Sequence, residues 1–127
     1  MSEDNVRFDI LSITYPHLFI AGSLPHGLQV SNGWMNLLEI LFSRIDTILE
    51  EAPAAKFEVL QIKEKFGTLR FYYRLEGASD VVAAALRQAV DATASASAFC
   101  CELCGAPGSL ETRNGWMSVR CSLCTSV

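Results

Sequence analysis

All five cysteines lie between residues 100 and 124, and four of them form two pairs at one spacing, Cys101-x-x-Cys104 and Cys121-x-x-Cys124. Sixteen residues separate the pairs. A Cys-x-x-Cys turn places two sulfurs on the same side of the backbone, and two such turns supply the four thiolates of a zinc ribbon. Four thiolates close the tetrahedron. A catalytic zinc keeps one position for water and usually takes His or carboxylate ligands, so the pattern predicts one structural Zn2+ and no chemistry at the metal. Cys100, the remaining thiol, is read as a small core residue at a helix end and not as a fifth ligand.

The chain between the pairs must hold them in register. Asn114-Gly115 is the preferred pair for a two-residue type I′ hairpin turn. A turn there sets Arg113 against Trp116, Thr112 against Met117, Glu111 against Ser118 and Leu110 against Val119. One face then carries Leu110, Thr112, Met117 and Val119; the other carries Glu111, Arg113, Trp116, Ser118 and Arg120. Gly105, directly after the first pair, suits a knuckle that needs positive φ. Zinc contributes about 10–16 kcal/mol to small fingers, so this module is expected to fold only with its metal. Trp116, Arg113 and Arg120 are the candidate partner contacts, since Trp and Arg are enriched at interface hot spots.

Upstream, the expected scaffold is an α+β body over residues 1–98, with the zinc ribbon at 99–127. Val6 to Tyr15 holds a short apolar run that fits a strand or a helical turn. Residues 16–33, rich in Pro, Gly, Ser and His, read as an irregular connection. Ser31 or Asn32 is expected to cap a helix whose stripe is Trp34, Leu37, Leu38, Leu41, Phe42, Ile45, Ile48 and Leu49, ended by Pro53. Phe57–Lys63 and Thr68–Leu75 read as strands of a hairpin joined by Glu64-Lys65-Phe66-Gly67. In the second, Leu69, Phe71, Tyr73 and Leu75 share one face and Arg70, Tyr72 and Arg74 the other. Ser79 or Asp80 opens a second helix through Val81, Val82, Ala85, Leu86, Ala89 and Val90, whose small-residue end, Ala92 to Ala98, frays or packs closely. Two helices on a small antiparallel sheet, followed by a zinc ribbon, is the expected fold.

The chain has 127 residues, half of them hydrophobic, and a formal net charge of -4. Four thiolates and one Zn2+ would take that to roughly -6. An acidic surface suits a basic protein partner better than a phosphate backbone. No apolar run approaches the ~20 residues that span a bilayer. The start, Met1-Ser2-Glu3-Asp4-Asn5, lacks the basic and apolar segments of a secretory signal, so a cytoplasmic address is expected. His17 and His26 have no Ser, Cys or carboxylate at catalytic spacing and read as turn or surface residues. No P-loop, dinucleotide fingerprint, HExxH or nucleophile elbow is present, and no enzyme is expected. Trp34 reads as a core anchor.

Lys63 to Arg74 interleaves basic and aromatic residues in the manner of an RNA-binding strand, but Glu58, Glu64 and Glu76 dilute it, and a hairpin with a Leu/Phe/Tyr core face and an Arg/Tyr solvent face is the preferred reading. The alternative function is therefore a zinc-ribbon regulator that binds nucleic acid through Lys63, Lys65, Arg70, Arg74 and Arg120.

Four blocks carry a resemblance. They are Tyr15-Pro16-x-Leu18-Phe19, Gly33-Trp34-x-x-Leu37-Leu38, Gln61 to Tyr72 around Lys63-Glu64-Lys65-Phe66-Gly67-x-Leu69-Arg70-Phe71-Tyr72, and Cys101-Glu102-x-Cys104-Gly105-Ala106-Pro107-Gly108 with Gly115-Trp116 and Cys121. Together they resemble a widespread family of small, uncharacterised bacterial and phage proteins with a C-terminal zinc ribbon. Family members often end in Cys-x-x-His where this chain has Cys121-x-x-Cys124, a swap that keeps four ligands. The resemblance implies no reaction; it implies kinship with accessory proteins of mobile and polymorphic-toxin loci. The leading expectation is a cytoplasmic immunity protein that occludes a toxin domain of the nuclease or ADP-ribosyltransferase type.

Overall fold

The computed structural model describes residues 3–19, 24 and 28–125. His26, together with Gly22, Pro25 and Gly27 of the expected connection, lies outside the described residues. Among the described residues the architecture is α+β, with a three-stranded sheet, a separate two-stranded ribbon and four α-helices.

The opening run is a helix, α1 (Glu3–Thr14). Phe8, Leu11 and the half-buried Tyr15 recur at helical spacing and turn toward the core. Val6, Ile10 and Ile13 are apolar but exposed on the opposite side, which blurs the period in the sequence. A 3-10 turn at Pro16–Leu18 follows. Within the expected irregular stretch, Leu28–Gln29 forms a short strand, β1.

α2 (Met35–Glu50) is entered through a 3-10 turn at Asn32–Trp34. The expected side-chain cap from Ser31 or Asn32 is not made. Asn32 instead accepts a 3.5 Å hydrogen bond from Arg7 Nη1, and the tight preliminary turn organises the helix entry. The expected stripe faces inward: Trp34, Leu38, Leu41, Phe42 and Ile45 are fully buried.

β2 (Lys56–Lys65) and β3 (Thr68–Glu76) form the antiparallel hairpin, and β1 joins β2 in parallel through Leu28↔Ile62 and Gln29↔Lys63. Both strands run further than their apolar runs suggest, because the turn between them is only Phe66-Gly67. Both residues have positive φ, 54° and 84°, the type I′ pattern without Asn. The Glu64 carboxylate accepts from the Gly67 N–H at 2.7 Å, which helps hold Phe66 in a conformation uncommon for its residue type.

A bulge between Val59 and Gln61 shifts the register of β2. Without the extra residue, Phe57 and Val59 would share a face with Gln61; with it, Ile62 turns inward instead. The inner face thus becomes Phe57, Val59, Ile62, Leu69 and Phe71.

α3 (Asp80–Ser97) starts at Ser79, whose hydroxyl accepts from Val82 N–H at 3.2 Å. Val81 departs from the expected stripe and is exposed, while Leu86, Ala89 and Val90 are buried. The small-residue end stays helical and packs closely. Ser97, fully buried, accepts from the Leu69 N–H at 2.9 Å and donates to Ala94 O at 2.6 Å. A larger side chain there would hold the helix away from β3.

Aromatic rings connect these layers. Phe42 of α2 lies 5.5 Å from Phe19, 6.1 Å from Tyr15 and 5.8 Å from Phe71, and Phe57 stacks on Tyr73 at 5.0 Å. No helix among the described residues is long and apolar enough to cross a membrane.

Candidate metal centre

The ribbon is β4 (Ser109–Arg113) and β5 (Trp116–Arg120), followed by the short helix α4 (Ser122–Thr125). Its pairing is the expected one: Arg113↔Trp116, Thr112↔Met117, Glu111↔Ser118 and Leu110↔Val119. Asn114 and Gly115 close it with φ of 54° and 79°.

The hairpin brings the two cysteine pairs together. The first follows α3 directly and turns back on itself, with Gly105 N–H donating to Cys101 O at 2.9 Å and Cys101 N–H to Ala106 O at 2.8 Å. Gly105 takes the expected positive φ, 84°. The second pair spans the end of β5 and α4. The sulfurs of Cys101, Cys104, Cys121 and Cys124 all lie within 4.8 Å of one another, with Cys104 and Cys121 at 3.5 Å. A tetrahedral ion with metal–sulfur bonds of about 2.3 Å needs sulfurs about 3.8 Å apart. The four thiols are therefore placed to hold one metal ion.

Their protonation points the same way. Burial opposes ionisation of Cys101, but the N–H groups of Cys121, Cys104 and Leu103 stabilise its thiolate and bring it down to about 6. Cys121 is lowered chiefly by the N–H of Cys124. Each anionic sulfur then retains the proton on its neighbour. Cys124 is pushed up to about 12, first by the Cys121 sulfur and then by Cys101. The Ala106 N–H favours the Cys104 thiolate, but the sulfurs of Cys121 and Cys101 outweigh it and that thiol is raised. Four thiols this close ionise together only around a cation.

Cys100 stands apart from this cluster. Its thiol is raised by burial and by the charges of Cys101 and Cys104, and it lies 3.4 Å from Gly33 O, packed against the core. It occupies the expected core position at the helix end.

The ribbon is fastened to the body at Gly33-Trp34, a link that the cysteine pattern does not reveal. Gly33 N–H donates to Glu102 O at 2.9 Å, and the buried indole of Trp34 donates to Cys100 O at 2.9 Å. A Cβ on Gly33 would lie 2.1 Å from Cys101 O, so only glycine admits this approach. A second seam joins Gly67 at the tip of β2–β3 to Leu110 and Ser118 of the ribbon. The clue in the sequence was a Gly-Trp pair at a helix entry.

The three candidate contact residues differ in their setting. Trp116 is 70% exposed and borders three grooves. One of them, of about 410 Å³, also has Phe66, Lys65 and Met117 in its walls. Arg113 is exposed and lines the second groove. Arg120 is half-buried, its guanidinium 3.9 Å from Glu102, with its Nε enclosed and lacking a hydrogen-bond partner among the described residues. Glu102 is itself raised by burial, against the opposing Val119 N–H and Arg120 charge. The Glu111/Trp116 face is thus open at the turn but covered near the cysteines, where Ser118 is buried. His17 is exposed and bonded to Asp46 at 2.7 Å.

The alternative set divides likewise. Lys63, Lys65, Arg70 and Arg74 all belong to one face of the β2–β3 hairpin, while Arg120 belongs to the ribbon. No protein family, curated protein or solved structure matches the chain.

Proposed function

We propose that this chain is a non-catalytic protein-binding module of the cytoplasm, an immunity protein that neutralises a toxin domain by covering it. The metal in this reading is one structural Zn2+ held by Cys101, Cys104, Cys121 and Cys124. Four thiolates leave no position for substrate or water, so the ion stabilises the ribbon and does not take part in a reaction.

The observation that carries the reading is the corner formed by Trp116 and Phe66. They are 70% and 64% exposed, and they line one groove from two different hairpins. Each ring is held at or beside a two-residue turn of fixed geometry, so little loop freedom is lost on binding. Large aromatics presented this way are typical binding anchors. The toxin in question is of the nuclease or ADP-ribosyltransferase type. Residues 1–51 hold seven acidic residues against Arg7 and Arg44, a charge balance that favours a basic partner.

Co-expression with the product of the neighbouring gene, as the toxin this reading requires, tests it. Growth rescue by the native protein, and its loss in Trp116→Ala at unchanged melting temperature, is the expected result. Failure of the native protein both to rescue growth and to capture the toxin domain would exclude the immunity role.

A further inference from the structure

The three-stranded sheet packs one face against α3 and against Phe42 of α2 and leaves the other open. Cross-strand pairing places Lys56 with Glu76, Glu58 with Arg74, Gln61 with Tyr72, Lys63 with Arg70 and Lys65 with Thr68 on that open face. Five cations and two carboxylates therefore occupy one surface of a chain whose overall charge is -4.

The charges are not mutually neutralised. Glu58 engages Arg74 at 3.4 Å, but Lys63, Lys65 and Arg70 make no ion pair among the described residues. Lys63 and Arg70 stand directly opposite one another, an arrangement that costs stability in the isolated sheet and is relieved by a bound anion. Beside them Tyr72 is 42% exposed, and Phe66 projects at the hairpin end with the Lys65 ammonium 5.6 Å from its ring centre.

We infer that this open sheet face binds single-stranded nucleic acid, with phosphates on Lys63, Lys65 and Arg70 and bases stacked on Tyr72 and Phe66. Cations on the same face recur two residues apart along a strand, about 6.7 Å, so they form a row rather than a point site. An acidic peptide would use the cations and leave the rings idle; unstacked bases use both. A duplex offers phosphates but no free base faces. The surface adjoins the Trp116–Phe66 groove required by the protein-binding reading and shares Phe66 and Lys65 with it, while Lys63, Arg70 and Tyr72 lie outside that groove.

The test is fluorescence anisotropy of labelled 20-nucleotide oligo-dT and oligo-U strands, and of a 20-base-pair duplex, titrated with the metal-loaded full chain. Binding to a single strand is expected to exceed duplex binding at least tenfold. With three phosphates neutralised, affinity should fall about 20-fold between 50 and 200 mM salt. Lys63→Gln/Arg70→Gln should weaken binding more than tenfold, Tyr72→Ala about tenfold, and Trp116→Ala not at all. Lys63, Arg70 and Tyr72 lie on the open face, and an unchanged circular dichroism spectrum establishes that each variant is folded. No binding to either strand at 50 mM salt overturns the inference. So does equal displacement by polyglutamate with no effect of Tyr72→Ala, which would assign the face to an acidic peptide. Loss of toxin rescue in Trp116→Ala with strand binding retained separates this surface from the protein-binding one.

Discussion

Two hairpins in this chain end in the same kind of turn and are held by different forces. β2–β3 closes at Phe66-Gly67 and β4–β5 at Asn114-Gly115, each with two consecutive positive φ values. The first hairpin places Phe57, Val59, Ile62, Leu69 and Phe71 against two helices. The second has little to bury: Leu110 is exposed, Met117 is half-buried, and only Val119 among its apolar residues is enclosed. A two-stranded ribbon is marginal in water without such a face. What the core does for β2–β3, the four cysteines are placed to do for β4–β5 by holding a metal ion. The same turn chemistry can therefore serve an element stabilised by hydrophobic burial and one arranged for metal ligation.

Removing a ligand should separate the two most sharply. Cys121→Ser is expected to abolish stoichiometric metal binding and melt the ribbon, since a structural zinc contributes on the order of 10–16 kcal/mol. Metal analysis and the cross-strand amide signals of residues 109–120 check this; β2–β3 should keep its own signals. Phe42→Ala is the converse break. It empties the centre of the aromatic cluster, and about 3–5 kcal/mol of global stability should be lost in denaturant unfolding, with the metal affinity of the still-folded protein little changed.

Smaller changes sharpen the comparison at the seams. Gly33→Ala forces a methyl against the Cys101 and Glu102 backbone and should cost about 3 kcal/mol, measured as a lower unfolding midpoint. Gly115→Ala meets no neighbour within 4 Å among the described residues, so only its φ of 79° is strained, and a loss of about 1 kcal/mol is expected. Gly67→Ala carries the same φ strain and also strikes the Leu110 side chain, so it should cost more than Gly115→Ala. Equal costs for these two would mean that the ribbon does not rest on the body at Gly67.

The cysteine pairing and the Asn114-Gly115 register were legible because both depend on short, local rules that this sequence obeys. The α2 stripe and the Ser79 cap were legible for the same reason. The rest depended on contacts between distant parts of the chain. The β2 bulge answers a phase slip among Phe57, Val59 and Ile62 that only the packed core resolves. The Phe66-Gly67 turn lacks the Asn that usually marks such turns and relies on the Glu64 carboxylate. α1 hides its helical period behind exposed Val6, Ile10 and Ile13, and β1 is too short to carry a pattern of its own. The candidate site showed the same division: its metal ligands could be read from spacing, but the Gly33-Trp34 fastening and the open basic sheet face appear only when strands and loops are brought together.

Hydrogen exchange on metal-loaded and chelator-stripped protein, with metal content measured on the same sample, decides whether a metal ion holds the ribbon together. The expected result is one zinc per chain, loss of protection across residues 109–120 on stripping, and retained protection across β2–β3 and α2. Absence of bound metal, or a ribbon equally protected after chelation, would contradict it.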